Sequence, residues 1–185
     1  MKPTPLPHIC PPWFAPVLNN PLRRWLHNAD ELFGALVAPG FTVVELGCGS
    51  GPFTVKLARM VGPLGRVIAA DVQPAMLAQV RKRAARAGVE DRVELHLCGL
   101  ANIGLSVRVD FALAFWMVHE VPDPASFFGE VYNALNAGGR LLVVEPRIHV
   151  GGKMFEREVE AAQDARFVLL TRPVVRLSRA VLFGK

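Results

Sequence analysis

VVELGCGSGPFTVKLA, residues 43–58, is the stretch of this chain that decides the fold. It begins with apolar residues typical of a buried strand, passes through Gly47, Gly49 and Gly51, and continues into a helical pattern. Glycine tolerates backbone conformations that other residues avoid, and without a Cβ it lets the main chain come close to a ligand. The stretch therefore predicts a strand, a glycine turn and a helix, with a ligand held at the turn.

The spacing of the glycines excludes two common ligands. A dinucleotide-binding turn needs glycine at positions 47, 49 and 52, or at 49, 51 and 54, and this chain has Pro52 and Thr54 there. A triphosphate-binding loop needs Gly-Lys followed by Ser or Thr, whereas the nearest lysine, Lys56, lies inside the predicted helix. Neither a nicotinamide dinucleotide nor a nucleoside triphosphate is predicted.

Two carboxylates at strand ends describe a different ligand. Glu45 lies two residues before Gly47, where its negative charge would repel a pyrophosphate and attract a cation. Asp71 lies twenty residues after Gly51, at the end of the apolar run RVIAA, where a carboxylate can accept hydrogen bonds from two ribose hydroxyls. Each alone could be an ordinary strand-end cap. As a spaced set they predict a nucleoside with a cationic, non-phosphate arm.

The rest of the chain repeats the alternation of strand and helix. Apolar runs typical of strands are FTVVEL, RVIAA, VELHL, DFALAF and RLLVVE, and helical patterns cover about residues 53–60, 74–87, 124–135 and 153–165. Gly88 and the pair Gly138 and Gly139 are predicted to end helices. Strands separated by helices form βαβ units and a parallel sheet. The last two β-rich stretches, RFVLLTRPVVRL and RAVLFGK, are close enough to pair antiparallel.

These elements predict an α/β fold, a three-layer α/β/α domain with a seven-stranded sheet whose last strand is antiparallel. The main domain is expected over residues 41–185. Residues 1–40 are rich in proline and aromatic residues, with a helix from about 21 to 37 and Asn28 and Glu31 as a capping pair. We expect this segment to be an N-terminal helical arm that packs on the main domain as a lid over the carboxyl ends of the strands.

Composition is typical of a globular protein. The chain has 185 residues, 51% of them hydrophobic, and a formal net charge of +5. No apolar run reaches the roughly 18 to 20 residues of a membrane helix, and the N-terminus lacks the apolar block of a secretory signal. These two features predict a cytoplasmic location and no membrane partner. Cys10, Cys48 and Cys98 form no CxxC pair and are predicted to be reduced thiols. The basic residues of one predicted helix are interpreted as its solvent-exposed face: Arg81, Lys82, Arg83 and Arg86.

Residues 42–145 resemble the class I S-adenosylmethionine-dependent methyltransferases. The resemblance is carried by ELGCGSG at the glycine turn and extends to VDFALAFWMVHEVPDP and LNAGGRLLVVEP at the fourth and fifth strands. Within the family these segments are similar to those of the small-molecule group that includes ubiquinone and menaquinone methyltransferases. The resemblance implies a Rossmann-like fold, an enzyme and S-adenosyl-L-methionine as the cofactor.

The resemblance also implies the cofactor-binding residues. Glu45 and the glycine turn would hold the methionine arm, Asp71 would hold the ribose, and the two residues after Asp71 would flank the adenine. Leu100 or Ala101 stands where the family often has an aspartate that contacts the adenine amino group, which leaves that contact to backbone groups. The full set of candidates is Glu45, Gly47, Cys48, Gly49, Gly51, Asp71, Val72, Gln73, Leu100 and Trp116.

Catalytic candidates follow the fourth and fifth strands. His119 could deprotonate a hydroxyl or thiol acceptor or orient it, with Glu120 or Glu145 as a partner that sets its tautomer. The alternatives are that His119 begins a helix or packs under the arm, and that Glu145 caps a neighbouring turn. His119, Glu145 and His149 are far apart in sequence without a helix-spaced pair, so no metal is predicted.

The function predicted from these features is transfer of the methyl group of S-adenosylmethionine to a small-molecule acceptor by in-line displacement. FWMVHEVPD follows the fourth strand in place of the Asn or Asp, Pro-Pro and aromatic motif of adenine or glutamine methyltransferases. The alternatives are an RNA-modifying methyltransferase, which would need a basic face and a recognition domain, and a non-catalytic S-adenosylmethionine-binding module. Nucleic acid is not the expected partner. The acceptor atom and the oligomeric state stay open.

Overall fold

The computed structural model describes residues 28–99 and 101–185. The strands are β1 Thr42–Leu46, β2 Arg66–Asp71, β3 Val93–Leu97, β4 Val109–Phe115, β5 Leu135–Pro146, β6 Val168–Thr171 and β7 Ser178–Gly184. The α-helices are α1 Ala29–Phe33, α2 Thr54–Met60, α3 Pro74–Ala87, α4 Pro124–Ala134 and α5 Gly152–Asp164, and 3-10 turns cover Glu90–Arg92 and Val118–Glu120. Within the described ranges, no helix is long and apolar enough to cross a membrane.

The strands form one seven-stranded sheet in the order β3-β2-β1-β4-β5-β7-β6. β1 pairs in parallel with both β2 and β4, β4 pairs in parallel with β5, and β7 is antiparallel to both β5 and β6. This confirms the predicted fold, including the antiparallel last strand. The chain order reverses between β1 and β4, and the carboxyl ends of these strands form the crevice where open α/β sheets bind ligands.

Helices cover both faces of the sheet because each has one apolar side. In α3 the buried residues are Met76, Leu77, Val80 and Ala84, while Arg81, Lys82 and Arg86 are exposed. Three of the four basic residues therefore lie on a solvent-exposed helix face, as predicted, whereas Arg83 is only partly exposed. On the other face, α4 and α5 bury Phe127, Phe128, Phe155 and Val159 in the same core as β4, β5 and β7. Gly88 ends α3 in a left-handed conformation, also as predicted.

The end of α4 differs from the prediction. The pair Gly138 and Gly139 does not end this helix, because α4 stops at Ala134 and β5 begins at the next residue. Both glycines lie inside β5, where the register with β4 shifts between Val109 and Phe111 and Gly138 has φ +76°. Here the glycines accommodate an irregularity within a strand. A glycine pair in the sequence does not by itself distinguish this role from the end of a helix.

The first described helix is shorter than predicted. Asn28 has an extended backbone and accepts a hydrogen bond from the Asp30 N–H, so it caps a helix that begins at Ala29 and ends at Phe33. Its side-chain amide also donates to Glu31 Oε1 at 3.1 Å, which confirms the predicted pair. The remainder of the predicted helix before Asn28 lies outside the described residues. The division into an arm or lid over 1–40 and a main domain over 41–185 stays a prediction.

Candidate functional site

The glycine turn between β1 and α2 has a left-handed backbone at all three glycines, with φ +63° at Gly47, +54° at Gly49 and +78° at Gly51. A Cβ at Gly47 would lie 2.8 Å from the Cβ of Met117, so the turn packs too closely there for any side chain. A Cβ at Gly49 would meet no atom within 4 Å. The turn is thus packed against Met117, which follows β4, on one side and is open to a ligand at Gly49.

Glu45 is buried at the carboxyl end of β1. Its side-chain Oε2 accepts a hydrogen bond from the Thr54 hydroxyl at 2.5 Å, which ties the end of the strand to the first residue of α2. A buried carboxylate beside the turn provides a negative charge in a region of low dielectric constant. The site therefore favours a cationic group and disfavours a phosphate, as the sequence predicts.

Asp71 holds the glycine turn in place. The Gly49 N–H donates to its Oδ2 at 2.8 Å, and the Gln73 N–H donates to its Oδ1 at 2.9 Å. Burial raises the pKa of the Asp71 carboxyl above its ordinary value, and the bonds from the backbone N–H groups oppose this shift. The sequence pattern did not predict that Asp71 bonds to the glycine turn. This contact joins residues 22 apart and depends on the pairing of β1 with β2. Each oxygen has a second lone pair that a ribose hydroxyl could use.

The residues present fit the cofactor that the resemblance implies. Gly49, where the turn is open, donates its N–H to the buried Asp71, and a second buried carboxylate, Glu45, lies on the adjacent parallel strand. Two negative groups around a backbone without side chains suit a sulfonium or ammonium on one side and a ribose on the other. Val72 and Gln73 follow Asp71 and are partly exposed at the same edge, where a base could contact them.

Two other predicted cofactor residues have different outcomes. Leu100 lies outside the described residues, so its predicted role stays a prediction. Trp116 follows β4 with φ +61°, a strained conformation for an aromatic residue, and its backbone N–H donates to Val144 O at 2.7 Å. Its indole N–H donates to Ser178 Oγ at 3.0 Å, on the side of β7. A cofactor contact of Trp116 would therefore use the ring rather than its polar atom.

The described cysteines are not reactive thiolates. Cys48 is buried in the glycine turn, and burial together with the charge of Glu45 raises the pKa of its thiol far above the ordinary value. Burial raises the pKa of Cys98 to about 11. Both are protonated thiols at neutral pH. No three His, Cys, Asp or Glu side chains among the described residues are arranged to hold a metal ion.

The structure brings His119 and Glu145 together beside the cofactor region. Glu145 lies at the end of β5 with no exposed surface, and its Oε1 accepts the Val118 N–H at 2.7 Å. Its Oε2 is 2.5 Å from His119 Nδ1. Glu145 therefore caps the 3-10 turn and orients the imidazole at once, so both predicted alternatives for Glu145 are present together. A neutral His119 held in this way carries its lone pair on Nε2.

The charge of His119 is set by its neighbours. Burial lowers its pKa, but the hydrogen bond that His119 donates to Glu145 and the negative charges of Glu145, Glu120 and Glu158 outweigh burial, so the pKa lies above the ordinary imidazole value. Glu120, a predicted catalytic residue, thus acts on His119 through its charge. The His149 ring stacks on the His119 ring with centroids 6.0 Å apart. These groups form one electrostatic cluster at the ends of β4 and β5.

Glu158 is a residue of this cluster that the sequence analysis missed. It lies in α5 among the buried residues Phe155, Val159 and Ala162. A signal was present in the sequence, since a glutamate occupies the apolar face of an otherwise amphipathic helix. What it faces became visible only when α5 was placed on the sheet.

A family model described as a methyltransferase domain matches residues 38–169. The chain is similar to an arsenite methyltransferase of Halobacterium salinarum, with 32% identity over 110 residues, 59% of this chain and 28% of that protein. It is also similar to the ubiquinone/menaquinone biosynthesis C-methyltransferase UbiE of an Enterobacter species, with 34% identity over 124 residues, 66% of this chain and 49% of that protein. The chain thus spans about half of the length of the UbiE relative and less than a third of the arsenite methyltransferase.

Among solved structures, the chain is similar to a SAM-dependent methyltransferase from Aquifex aeolicus. The TM-score is 0.86 at 23% identity, and the match covers 95% of this chain and 99% of that chain. At this level of identity the likeness shows a shared fold, and it extends over the whole sheet and its helices. The seven-stranded architecture is therefore one that solved methyltransferase structures also have.

Proposed function

The chain belongs to the methyltransferase domain family, and from this premise we propose that it transfers the methyl group of S-adenosylmethionine to a small-molecule acceptor by in-line displacement. Membership of the family confirms the predicted resemblance to class I S-adenosylmethionine-dependent methyltransferases and the predicted cofactor. The activity, the acceptor class and the mechanism are the proposal.

One observation carries the proposal. The cofactor region of Glu45, Gly49 and Asp71 and the pair of His119 and Glu145 lie at the carboxyl ends of neighbouring strands of one sheet. A methyl donor in the first region would present its reactive group toward the second, because β4 lies between β1 and β5. Bringing two reactants together in a fixed geometry is the main contribution that a methyltransferase must make.

The residues of this chain then have separate tasks. S-adenosylmethionine supplies a methyl group on a sulfonium, which is a good leaving group. Glu45 would provide negative charge for the cationic arm, and Asp71, which holds the glycine turn through its bond with Gly49, would also accept hydrogen bonds from the ribose. His119 Nε2 accepts the proton that a hydroxyl or thiol acceptor loses as it bonds to the methyl carbon. Glu145 holds the imidazole in the required tautomer.

A small-molecule acceptor is supported by the names of the relatives, which are an arsenite methyltransferase and UbiE, a C-methyltransferase of quinone biosynthesis. The exposed basic residues on α3 lie along an outer helix, away from the strand ends of the site. The basic residues of α3 therefore do not form a nucleic-acid face beside the cleft. We also propose that the protein acts in the cytoplasm, where the free thiols of Cys48 and Cys98 would stay reduced.

Cofactor binding and turnover test the proposal in two steps. Calorimetry should show binding of S-adenosylmethionine and much weaker binding of NADH and ATP, because the site carries negative charge where those ligands carry phosphate. A screen of small acceptors should then detect release of S-adenosylhomocysteine. Tighter binding of NADH or ATP would overturn the cofactor assignment. Cofactor binding without turnover on any acceptor would favour a non-catalytic binding module.

Replacing Asp71 by alanine should weaken S-adenosylmethionine at least tenfold, about 1.4 kcal/mol, because the ribose contacts and the bond that holds Gly49 are both lost. Asp91→Ala is a matched control, since Asp91 is exposed and pairs only with its neighbour Arg92 among the described ion pairs. Calorimetric titration of both variants measures the effect. Equal affinity of Asp71→Ala and the unmodified protein would exclude the ribose assignment.

A further inference from the structure

Glu158 is an unusual residue in the middle of α5. Its side chain is 5% exposed, and the helix positions around it are filled by the buried side chains of Phe155, Val159 and Ala162. A carboxyl group on an apolar helix face costs free energy unless it is hydrogen-bonded. Packing alone would be served better by an apolar side chain, so the carboxyl group needs a physical account.

No hydrogen bond within the described part of the chain satisfies this carboxyl group. Both oxygens of Glu158 are inaccessible to solvent and have no partner there. The other buried carboxylates are satisfied, since Glu45 accepts from Thr54, Asp71 from two backbone N–H groups, and Glu145 from Val118 and His119. Glu158 is therefore an exception among the buried acids described here.

Glu158 lies on the side of the sheet that carries the acceptor-side pair, because Phe155 and Val159 beside it in α5 belong to the same buried cluster as Val118, which precedes His119. Burial, together with the negative charge of Glu145, raises the pKa of Glu158 to about 8, and the positive charge of His119 opposes the shift. Glu158 in turn raises the pKa of His119. At neutral pH Glu158 is thus an uncharged acid.

Several elements contribute charged or titratable groups to this region. Glu145 comes from β5, His119 and Glu120 from the 3-10 turn after β4, and His149 from the loop before α5. Arg179 of β7 is opposite Glu145 in the register, but its guanidinium Nε donates to Val150 O. Glu145 is the group that links His119 to Glu158, because it bonds directly to His119 and acts on Glu158 through its charge.

We propose that Glu158 is a positioning residue that controls the charge of the His119/Glu145 pair, a role that rests on the function proposed above for His119. While Glu158 keeps its proton, Glu145 is the buried negative partner to which the imidazole bonds, and the pair of His119 and Glu145 is neutral overall when Nε2 has taken the acceptor's proton. When Glu158 loses its proton, a second buried negative charge holds the proton on His119. Release of that proton to solvent then requires a higher pH, and the base is regenerated more slowly.

A pH titration of the imidazole of His119 by NMR tests this role without any acceptor. In the unmodified protein its resonances should show two inflections, one of them near pH 8 at the pH where the Glu158 carboxyl carbon titrates. Glu158→Gln, a neutral analogue of similar size, should lose the second inflection and shift the titration of His119 to lower pH. Glu160→Gln, on the exposed side of the same helix, should keep both inflections.

Two results would overturn the proposal. One is a His119 titration that is the same in Glu158→Gln and in the unmodified protein. The other, which decides the matter even if Glu158→Gln does not fold, is a Glu158 carbon that titrates in the unmodified protein while His119 does not respond at that pH. Either result would leave Glu158 with a structural role. Failure of methyl transfer in the acceptor screen would instead contradict the proposed function and leave the titration result intact.

Discussion

His119→Ala should lower the single-turnover rate of methyl transfer about 100-fold or more, which corresponds to about 2.7 kcal/mol of activation free energy. The structure supplies the reason, because His119 is the ring that Glu145 orients at the end of β4 beside the cofactor region. S-adenosylmethionine affinity should stay within about twofold, since Glu45, Gly49 and Asp71 remain. Rapid-quench kinetics with a known acceptor, together with calorimetry, measure the two quantities.

His149→Ala is the control for this variant. The His149 ring stacks on His119 but takes no part in the hydrogen bonds to Glu145, so we expect a much smaller loss. If His119 only orients the acceptor, its replacement should raise KM and leave the rate at saturation nearly unchanged. Normal rate and normal acceptor affinity in His119→Ala would exclude both roles.

The pH dependence of the rate follows from the same pair. Because the pKa of His119 is raised, the neutral imidazole forms only at a pH above the ordinary value of 6.5. A reaction that uses His119 as a base should therefore lose rate as the pH falls, with its acidic limb above pH 6.5. Glu145→Gln should move this limb to lower pH, since it removes the charge that stabilises the imidazolium.

Glu158→Gln should make the free energy of unfolding less dependent on pH, and this is the largest stability effect that we expect. In the folded protein Glu158 keeps its proton up to about pH 8, whereas the unfolded chain loses it near the ordinary value of 4.5. Between these values the folded state binds more protons, so stability falls as the pH rises. At pH 8 and above, the unmodified protein has lost on the order of 3 to 5 kcal/mol of its unfolding free energy through this group.

Urea unfolding at a series of pH values measures this effect. The difference in unfolding free energy between Glu158→Gln and the unmodified protein should grow from pH 4.5 to pH 8 in favour of the variant, and then stay constant. Glu160→Gln, which changes an exposed carboxyl of the same helix, should follow the unmodified protein throughout. Parallel curves for Glu158→Gln and the unmodified protein would show that Glu158 titrates like an ordinary glutamate.

Local sequence patterns predicted the helices and strands well, because the interactions that start and end these elements also lie within a few residues of one another. α3 spans Pro74–Ala87 and β3 spans Val93–Leu97, as the patterns predict, since a proline start, a glycine stop and apolar spacing act within a few residues. The prediction that Gly138 and Gly139 end a helix is wrong, because a glycine pair suits both a helix end and an irregular strand. Only the register with β4 distinguishes them.

The sequence by itself determined the sheet, the glycine turn and the negative charge around it, because spacing along one chain decides which residues lie at the ends of adjacent parallel strands. Only the tertiary structure decided that Asp71 bonds to Gly49, that Glu145 both caps the 3-10 turn and holds His119, and that Glu158 of α5 is buried within range of the charges of this pair. These contacts join residues 22 to 27 apart, or act through charge across helix and sheet. They depend on distances that strand register and helix packing set, and no local pattern carries that information.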